Sequence, residues 1–243
     1  MEYKNSRDVL FESLELEDRA VVDVGCGDGG LARAIRRAGA ARVIGVECSP
    51  RQLDKARAAE PVDGVAIIDG VAEALPVLAG TMDAVVFFNS LHHVPPQHMD
   101  TAMAEAARVL RSGGRVYCSE PLAQGPFYDL CKAVDDEREV RAQAWRALHD
   151  AHRAGLHVER ETVFIHVVRL KSFEAFRDRI VSVNTEREAR FDAREGDLRR
   201  RFEDLGRRTE EDDGWLFDQP TRVTVLCKER REDWDLHAHA RGI

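Results

Sequence analysis

VVDVGCGDGG, residues 21–30, is a β-branched apolar run carrying one acid that breaks into a glycine-rich turn. The run reads as a buried strand, and "GGLARAIRRAGA" after it reads as a helix with Leu31 and Ile35 on one side, stopped at Gly39. Two patterns fit the glycines. Gly25, Gly27 and Gly30 satisfy G-x-G-x-x-G, whereas Asp23 with Gly25, Gly27 and Gly29 satisfies an acid followed by G-x-G-x-G. Either way the glycines permit a tight turn, close approach of backbone to a ligand, and a helix N-terminus aimed at it.

Outward from this stretch, strand and helix patterns alternate. Residues near 5–16 read as a short helix before the first strand. "RVIGVE" is a second strand and "SPRQLDKARAAE" a helix, with Ser49 at the N-cap and Pro50 in the first turn. "GVAIIDG" and "MDAVVFFNSL" are further strands, Gln97 to Leu110 a helix, "RSGG" a turn and "RVYCSE" a fifth strand. Residues 127–154 look helical, "ETVFIHVVRL" looks like a strand, residues 172–212 are charge-rich helical material, and "TRVTVLCKE" is the last strand. Phe173, Phe176, Ile180 and Val183 share one helical face, and Thr185 with Glu188 forms a capping box for a second helix. Alternating strands and helices pair in parallel through right-handed crossovers. The expected fold is therefore α/β, a doubly wound, mostly parallel seven-stranded sheet with a helical insert before the last strand.

The 243 residues suit one domain: a ligand-binding core over 18–122, a segment 123–218 holding the insert 172–212, a final strand 219–229 and a polar tail 230–243. Thirty-six basic against 44 acidic side chains leave a net charge of −8, which disfavours a nucleic-acid partner that needs a basic face. Five cysteines without a C-x-x-C pair read as small buried thiols in a reducing compartment. No stretch has the apolar core of a signal peptide or a transmembrane span, so the expected location is cytoplasmic.

The acids choose between the two glycine patterns. A dinucleotide would set a pyrophosphate against the turn, where Asp23 and Asp28 place like charge, at about 1 kcal/mol for unit charges 4 Å apart in water and several times more near a protein surface. S-adenosylmethionine carries a sulfonium and an ammonium group and no phosphate, so the same acids attract it. Glu47, ending the second strand, can accept from a ribose diol in either case, and Asp69, ending the third, from an adenine amine.

"VVDVGCGDGG", "VIGVECSP", "IIDGVAEALP", "MDAVVFFNSLHHVP" and "ARVLRSGGRVYCSEP", taken in order, resemble the class I S-adenosylmethionine-dependent methyltransferases. The similarity is to the small-molecule branch that includes ubiquinone and menaquinone C-methyltransferases, and it covers residues 18–122. It implies that Asp23, Gly25, Cys26 and Gly27 hold the methionine end of S-adenosylmethionine and that Glu47 takes both ribose hydroxyls. Cys48 and Ser49 would lie beside the adenine, Asp69 at its amine, and Gly70 and Val71 along the same pocket. Asn89 would face the reacting methyl group, and the product would be S-adenosylhomocysteine.

Methyl transfer is an in-line displacement that needs positioning and, for a protonated nucleophile, a base, but no metal. In "SLHHVPP", His92 and His93 are the candidate bases; adjacent histidines diverge, so at most one faces the acceptor, and shaping the pocket is the alternative role. Asn89-Ser90-Leu91 lacks the Asn/Asp-Pro-Pro-aromatic pattern of nucleobase amino-methylating enzymes, and Cys118, without a Pro-Cys partner, reads as a core thiol. The acceptor is then a small molecule, methylated at oxygen or carbon. Residues 123–218 would choose it, with the insert as lid or as homodimer arm. Phe127, Tyr128, Phe173 and Phe176 either line an apolar pocket or pack helix to sheet; Arg177, Arg179 and Arg187 either bind a carboxylate or are solvated. His237 and His239, and the arginines at 199–201, read as tail and surface. The alternatives are a nicotinamide-dependent oxidoreductase and a non-catalytic S-adenosylmethionine-binding interaction module.

Overall fold

The structure, a computed structural model, describes residues 1–181, 186–209 and 213–229. Val183, the Thr185 half of the capping box, His237 and His239 lie outside the described residues. In chain order the elements begin with α1 (Ser6–Ser13), β1 (Ala20–Val24), α2 (Gly30–Arg37), β2 (Arg42–Glu47), α3 (Pro50–Ala58) and β3 (Val65–Asp69). β4 (Met82–Phe88), α4 (Met99–Val109), β5 (Leu110–Pro121), α5 (Pro126–Cys131), α6 (Arg138–Asp150) and β6 (Leu156–Leu170) follow. α7 (Phe173–Val181), α8 (Glu186–Asp192), α9 (Glu195–Leu205), β7 (Arg207–Arg208) and β8 (Trp215–Lys228) close the series. The sheet order is β3-β2-β1-β4-β5-β8-β6, with the two-residue β7 paired to β8 alone.

Internal packing divides the chain into two compact units. The larger comprises Arg7–Glu120, Ala142–Thr162 and the segment from Val223. Its inner strands run parallel, with Val22 opposite Ile44 and Val85, and Gly45 opposite Ile67. Every residue of β1 is buried, as expected for a strand covered on both faces. Val22, Val85, Phe87, Met103, Val116 and Leu226 belong to one core cluster. Because β1 lies between β2 and β4, the chain reverses its direction of winding between β1 and β4, and ligands bind outside the carboxyl ends of strands at such a switch point.

The expected "RSGG" turn is instead a bulge within β5: Met82 pairs with Leu110, and the ladder resumes only at Ala84 with Arg115. The helix expected from Gln97 begins at Met99, after a 3-10 turn over Pro96–His98. Ser49 occupies the N-cap of α3 without a side-chain capping bond. Among the described residues, no helix is long and apolar enough to cross a membrane.

The smaller unit comprises Met1–Ser6, Pro121–Arg141 and Val163–Arg222. Phe173, Phe176, Phe191, Phe202 and Phe217 form its core, with Phe173 and Phe202 edge to face at 5.6 Å between centroids. Packing thus accounts for Phe173 and Phe176, which are buried and offer no surface to an acceptor. The helix expected over 127–154 is broken at 132–137. Asp136 ends the break, accepting from Tyr128 Oη at 2.5 Å and from the Arg138 N–H at 3.1 Å. Arg187, expected on the surface or on a carboxylate ligand, is buried between Asp135 and Glu137, donating at 2.8 Å to each. Arg177 pairs with Glu188 and Asp192. The last strand starts at Trp215 and the preceding long one at Leu156, both earlier than their apolar patterns suggest.

Candidate functional site

All the candidate ligand-binding residues lie in the larger unit, at the carboxyl ends of β1 to β5. After β1 the backbone turns left-handed at Gly25, Gly27 and Gly29, with φ of 71°, 58° and 74°. Those are the glycines of the acid-G-x-G-x-G pattern. Gly30 has no such angle; it opens α2, and its N–H donates to Asp28 Oδ1 at 2.9 Å. At Gly25 a Cβ would lie 2.6 Å from Ser90 Cβ, so the position is closed to side chains by contact as well as by φ. At Gly27 a Cβ would meet nothing within 4 Å. The loop is open there.

Asp23 is 1% exposed, and its Oδ2 is buried without a hydrogen-bond partner. Burial, and secondarily the charge of Glu47, push its carboxyl up to about 7. A buried carboxylate oxygen left unpaired is costly, and it is also a ready acceptor or counter-ion for a cationic ligand. Glu47 is 8% exposed and bonded to backbone. Its Oε2 accepts from the Gly27 N–H at 2.8 Å, and its Oε1 from Cys48 at 3.0 Å and Ser49 at 2.8 Å. A carboxylate offers about four acceptor positions, so Glu47 ties the glycine loop to the end of β2 and keeps capacity for a hydroxyl.

Asp69 is exposed and sits opposite Glu47 in the β2–β3 register. Gly70 donates to the Glu47 carbonyl at 3.1 Å, and Val71 bridges to Ala74. Cys26 is buried with its thiol pushed up by burial and then by Asp23 and Glu47; Cys48 is exposed, contrary to the expectation that all five cysteines are buried. Cys118 is a buried thiol, as expected.

Beyond β4, Asn89 is exposed with φ of 55°, a left-handed conformation asparagine tolerates, and donates its N–H to the Ser119 carbonyl at 2.8 Å. Leu91–His93 form a 3-10 turn that separates the two histidines. His92 is 5% exposed and its Nδ1 is bonded to Glu120; His93 is exposed. Two site residues escaped the sequence reading. Ser90 Oγ donates to the Val24 carbonyl at 2.6 Å, joining the end of β1 to the turn after β4. Glu120, in the "SEP" that ends the fifth strand, is a further strand-end acid beside Asp23, Glu47 and Asp69, and that position was the available signal.

These groups fit a ligand with cationic and hydroxyl groups. The unpartnered Asp23 oxygen can face a cationic group, the open glycine turn admits a backbone-contacting ligand, and Glu47 and Asp69, opposite each other at the ends of β2 and β3, offer carboxylate acceptors.

Residues 22–118 match the family described as a methyltransferase domain. The chain is 40% identical over 115 residues to 2-methyl-6-phytyl-1,4-hydroquinone methyltransferase 2 of Oryza sativa subsp. japonica, covering 46% of this chain and 32% of that protein. It is 34% identical over 130 residues to the methyltransferase GfsG of Streptomyces halstedii, covering 51% and 46%. The chain thus spans about a third to a half of the length of these relatives. Among solved structures, the YcgJ protein of Bacillus subtilis superposes with a TM-score of 0.62 at 19% identity, over 93% of this chain and 98% of that one, a likeness of fold.

Proposed function

We propose that the chain is a class I S-adenosylmethionine-dependent methyltransferase, which binds S-adenosylmethionine and methylates an oxygen or carbon of a small-molecule acceptor. The observation that carries the cofactor assignment is the buried Asp23 oxygen without a partner, set beside Glu47 at an open left-handed glycine turn. A pyrophosphate there would meet two carboxylates, whereas a sulfonium and an ammonium group would be attracted. When bound, S-adenosylmethionine supplies a methyl group on a sulfur that leaves as the neutral thioether of S-adenosylhomocysteine.

Asp23 balances the positive charge at the methionine end, and the backbone of Gly25, Cys26 and Gly27 borders it. Glu47 accepts from the ribose hydroxyls, with Cys48 beside the base, Asp69 at its amine, and Gly70 and Val71 along its edge. Asn89 lies towards the transferred methyl. Of the two histidines, His93 is the exposed one, so it is the base that takes the acceptor's proton as the new bond to the methyl carbon forms and the sulfur–carbon bond breaks. His92, buried against Glu120, supports it. The hydroquinone named for the rice relative makes substituted hydroquinones the first acceptors to test, and residues 123–218, outside the matched domain, are assigned the choice among acceptors.

Calorimetric titration with S-adenosylmethionine and S-adenosylhomocysteine tests the reading, on wild type and on Glu47→Ala. Micromolar binding that weakens at least tenfold, about 1.4 kcal/mol, supports it. Absence of binding to wild type, with protection by NAD(P) instead, would overturn it.

A further inference from the structure

Glu120 has a built environment that extends beyond its pairing with His92. Its carboxylate is 8% exposed; the Cys118 thiol on its own strand lies 4.0 Å from Oε1, and its shorter partners come from one short turn. Oε1 accepts from the Leu91 N–H at 3.0 Å and the His92 N–H at 3.4 Å, while Oε2 meets His92 Nδ1. A buried carboxylate is tolerated only when paired and hydrogen-bonded, so this one and the turn hold each other. The turn needs the help: a 3-10 turn of three residues has poor hydrogen-bond geometry of its own. The His92 ring in turn lies against the His93 ring, with centroids 4.0 Å apart and planes at 49°. The sequence Glu120, His92, His93 therefore runs from the buried end of β5 to an exposed imidazole.

We infer that Glu120 is a positioning residue for methyl transfer: it fixes the Leu91–His93 turn and the orientation of the His92 ring, and that ring sets the direction of His93. The inference rests on the transfer reading above. A carboxylate on Nδ1 keeps a ring proton on that nitrogen, so the His92 ring cannot turn over without losing its partner. His93 then meets the acceptor with its approach already set, which is where orientation lowers a barrier.

Glu120→Gln is the direct test. Glutamine keeps a carbonyl oxygen for the Leu91 and His92 amides but presents an N–H donor to Nδ1, which drives the ring proton to Nε2. Nitrogen-15 NMR of the histidine rings, calorimetry with S-adenosylhomocysteine, and turnover with methylhydroquinone as the acceptor probe are measured on the full chain. The expected result is a proton on His92 Nδ1 in wild type and only on Nε2 in the variant. With it, kcat should fall at least about 100-fold, while KM and S-adenosylhomocysteine affinity stay within about threefold. His92→Gln leaves the two amide bonds of Glu120 in place and removes only the ring; it should lose kcat to a similar extent with cofactor affinity kept. A wild-type His92 protonated on Nε2 alone overturns the inference, as does wild-type kcat in both variants. Failure of wild type to bind S-adenosylhomocysteine is a separate result: it overturns the transfer reading and this inference with it.

Discussion

Binding of S-adenosylmethionine should release a proton, and Asp23 should be its source. In the cofactor-free protein, burial and Glu47 hold the Asp23 carboxyl at about 7 against an ordinary value of 3.8. At 1.36 kcal/mol per unit, the shift of about three units means that keeping Asp23 ionised without a partner costs about 4 kcal/mol. A folded-state value raised above the unfolded one gives the folded protein more bound protons between about pH 4 and 7. Stability of the free protein therefore falls as pH rises through that window and levels off above it. A cationic ligand reverses the preference, because it favours the carboxylate. Affinity should therefore drop about tenfold per pH unit below 7, with about half a proton released on binding at pH 7 and nearly one at pH 6. Calorimetry in buffers of different ionisation heat counts that proton directly. Asp23→Asn should abolish the proton release, bind S-adenosylmethionine at least about tenfold more weakly at pH 8, and melt higher than wild type there in the absence of ligand. Zero proton release by wild type between pH 6 and 7, or an unchanged count in Asp23→Asn, would refute the reasoning.

Two further outcomes follow from contacts. Gly25→Ala puts a Cβ 2.6 Å from Ser90 Cβ at a φ of 71°, so it should lower the melting temperature by an amount corresponding to about 2–4 kcal/mol and weaken the cofactor at least tenfold; retention of both would show that the turn relaxes freely. Arg187→Ala removes the Arg187 bonds to Asp135 and Glu137 but leaves Glu137 paired with Arg141, and should cost about 2 kcal/mol in denaturant unfolding, whereas a loss under about 0.5 kcal/mol would class these contacts as surface ones.

The strands that carry the candidate site were legible because each is a short apolar run, the first three of them closing on an acid or a glycine. β1 to β4 stand where those runs predict them; Asp23 is the last residue but one of β1, and Glu47 and Asp69 end β2 and β3. Legibility failed where a distant partner overrides local pattern. Residues 132–137 have helical composition, yet Asp136 caps α6 through Arg138 and bonds Tyr128, while Asp135 is held by Arg187 from a helix 52 residues later. "RSGG" has turn composition, yet the flanking pairs keep it within β5 as a bulge. Helical register gave Phe173 and Phe176 one face, but only their ring contacts with Phe191 and Phe202 assign that face to a core.

The candidate site divides along the same line. The sequence by itself determined the order of strands and helices, the acid-G-x-G-x-G turn and the sign of the charge around it, because hydrophobic period, glycine spacing and residue type are local properties. Tertiary structure alone decided that His92 is buried and His93 exposed, that Ser90 closes over Gly25, that Glu120 reaches back 28 residues to the histidine turn, and that Asp23 holds its proton near neutrality. Each of these depends on desolvation and on partners from separate strands, which come into range only when the sheet is assembled.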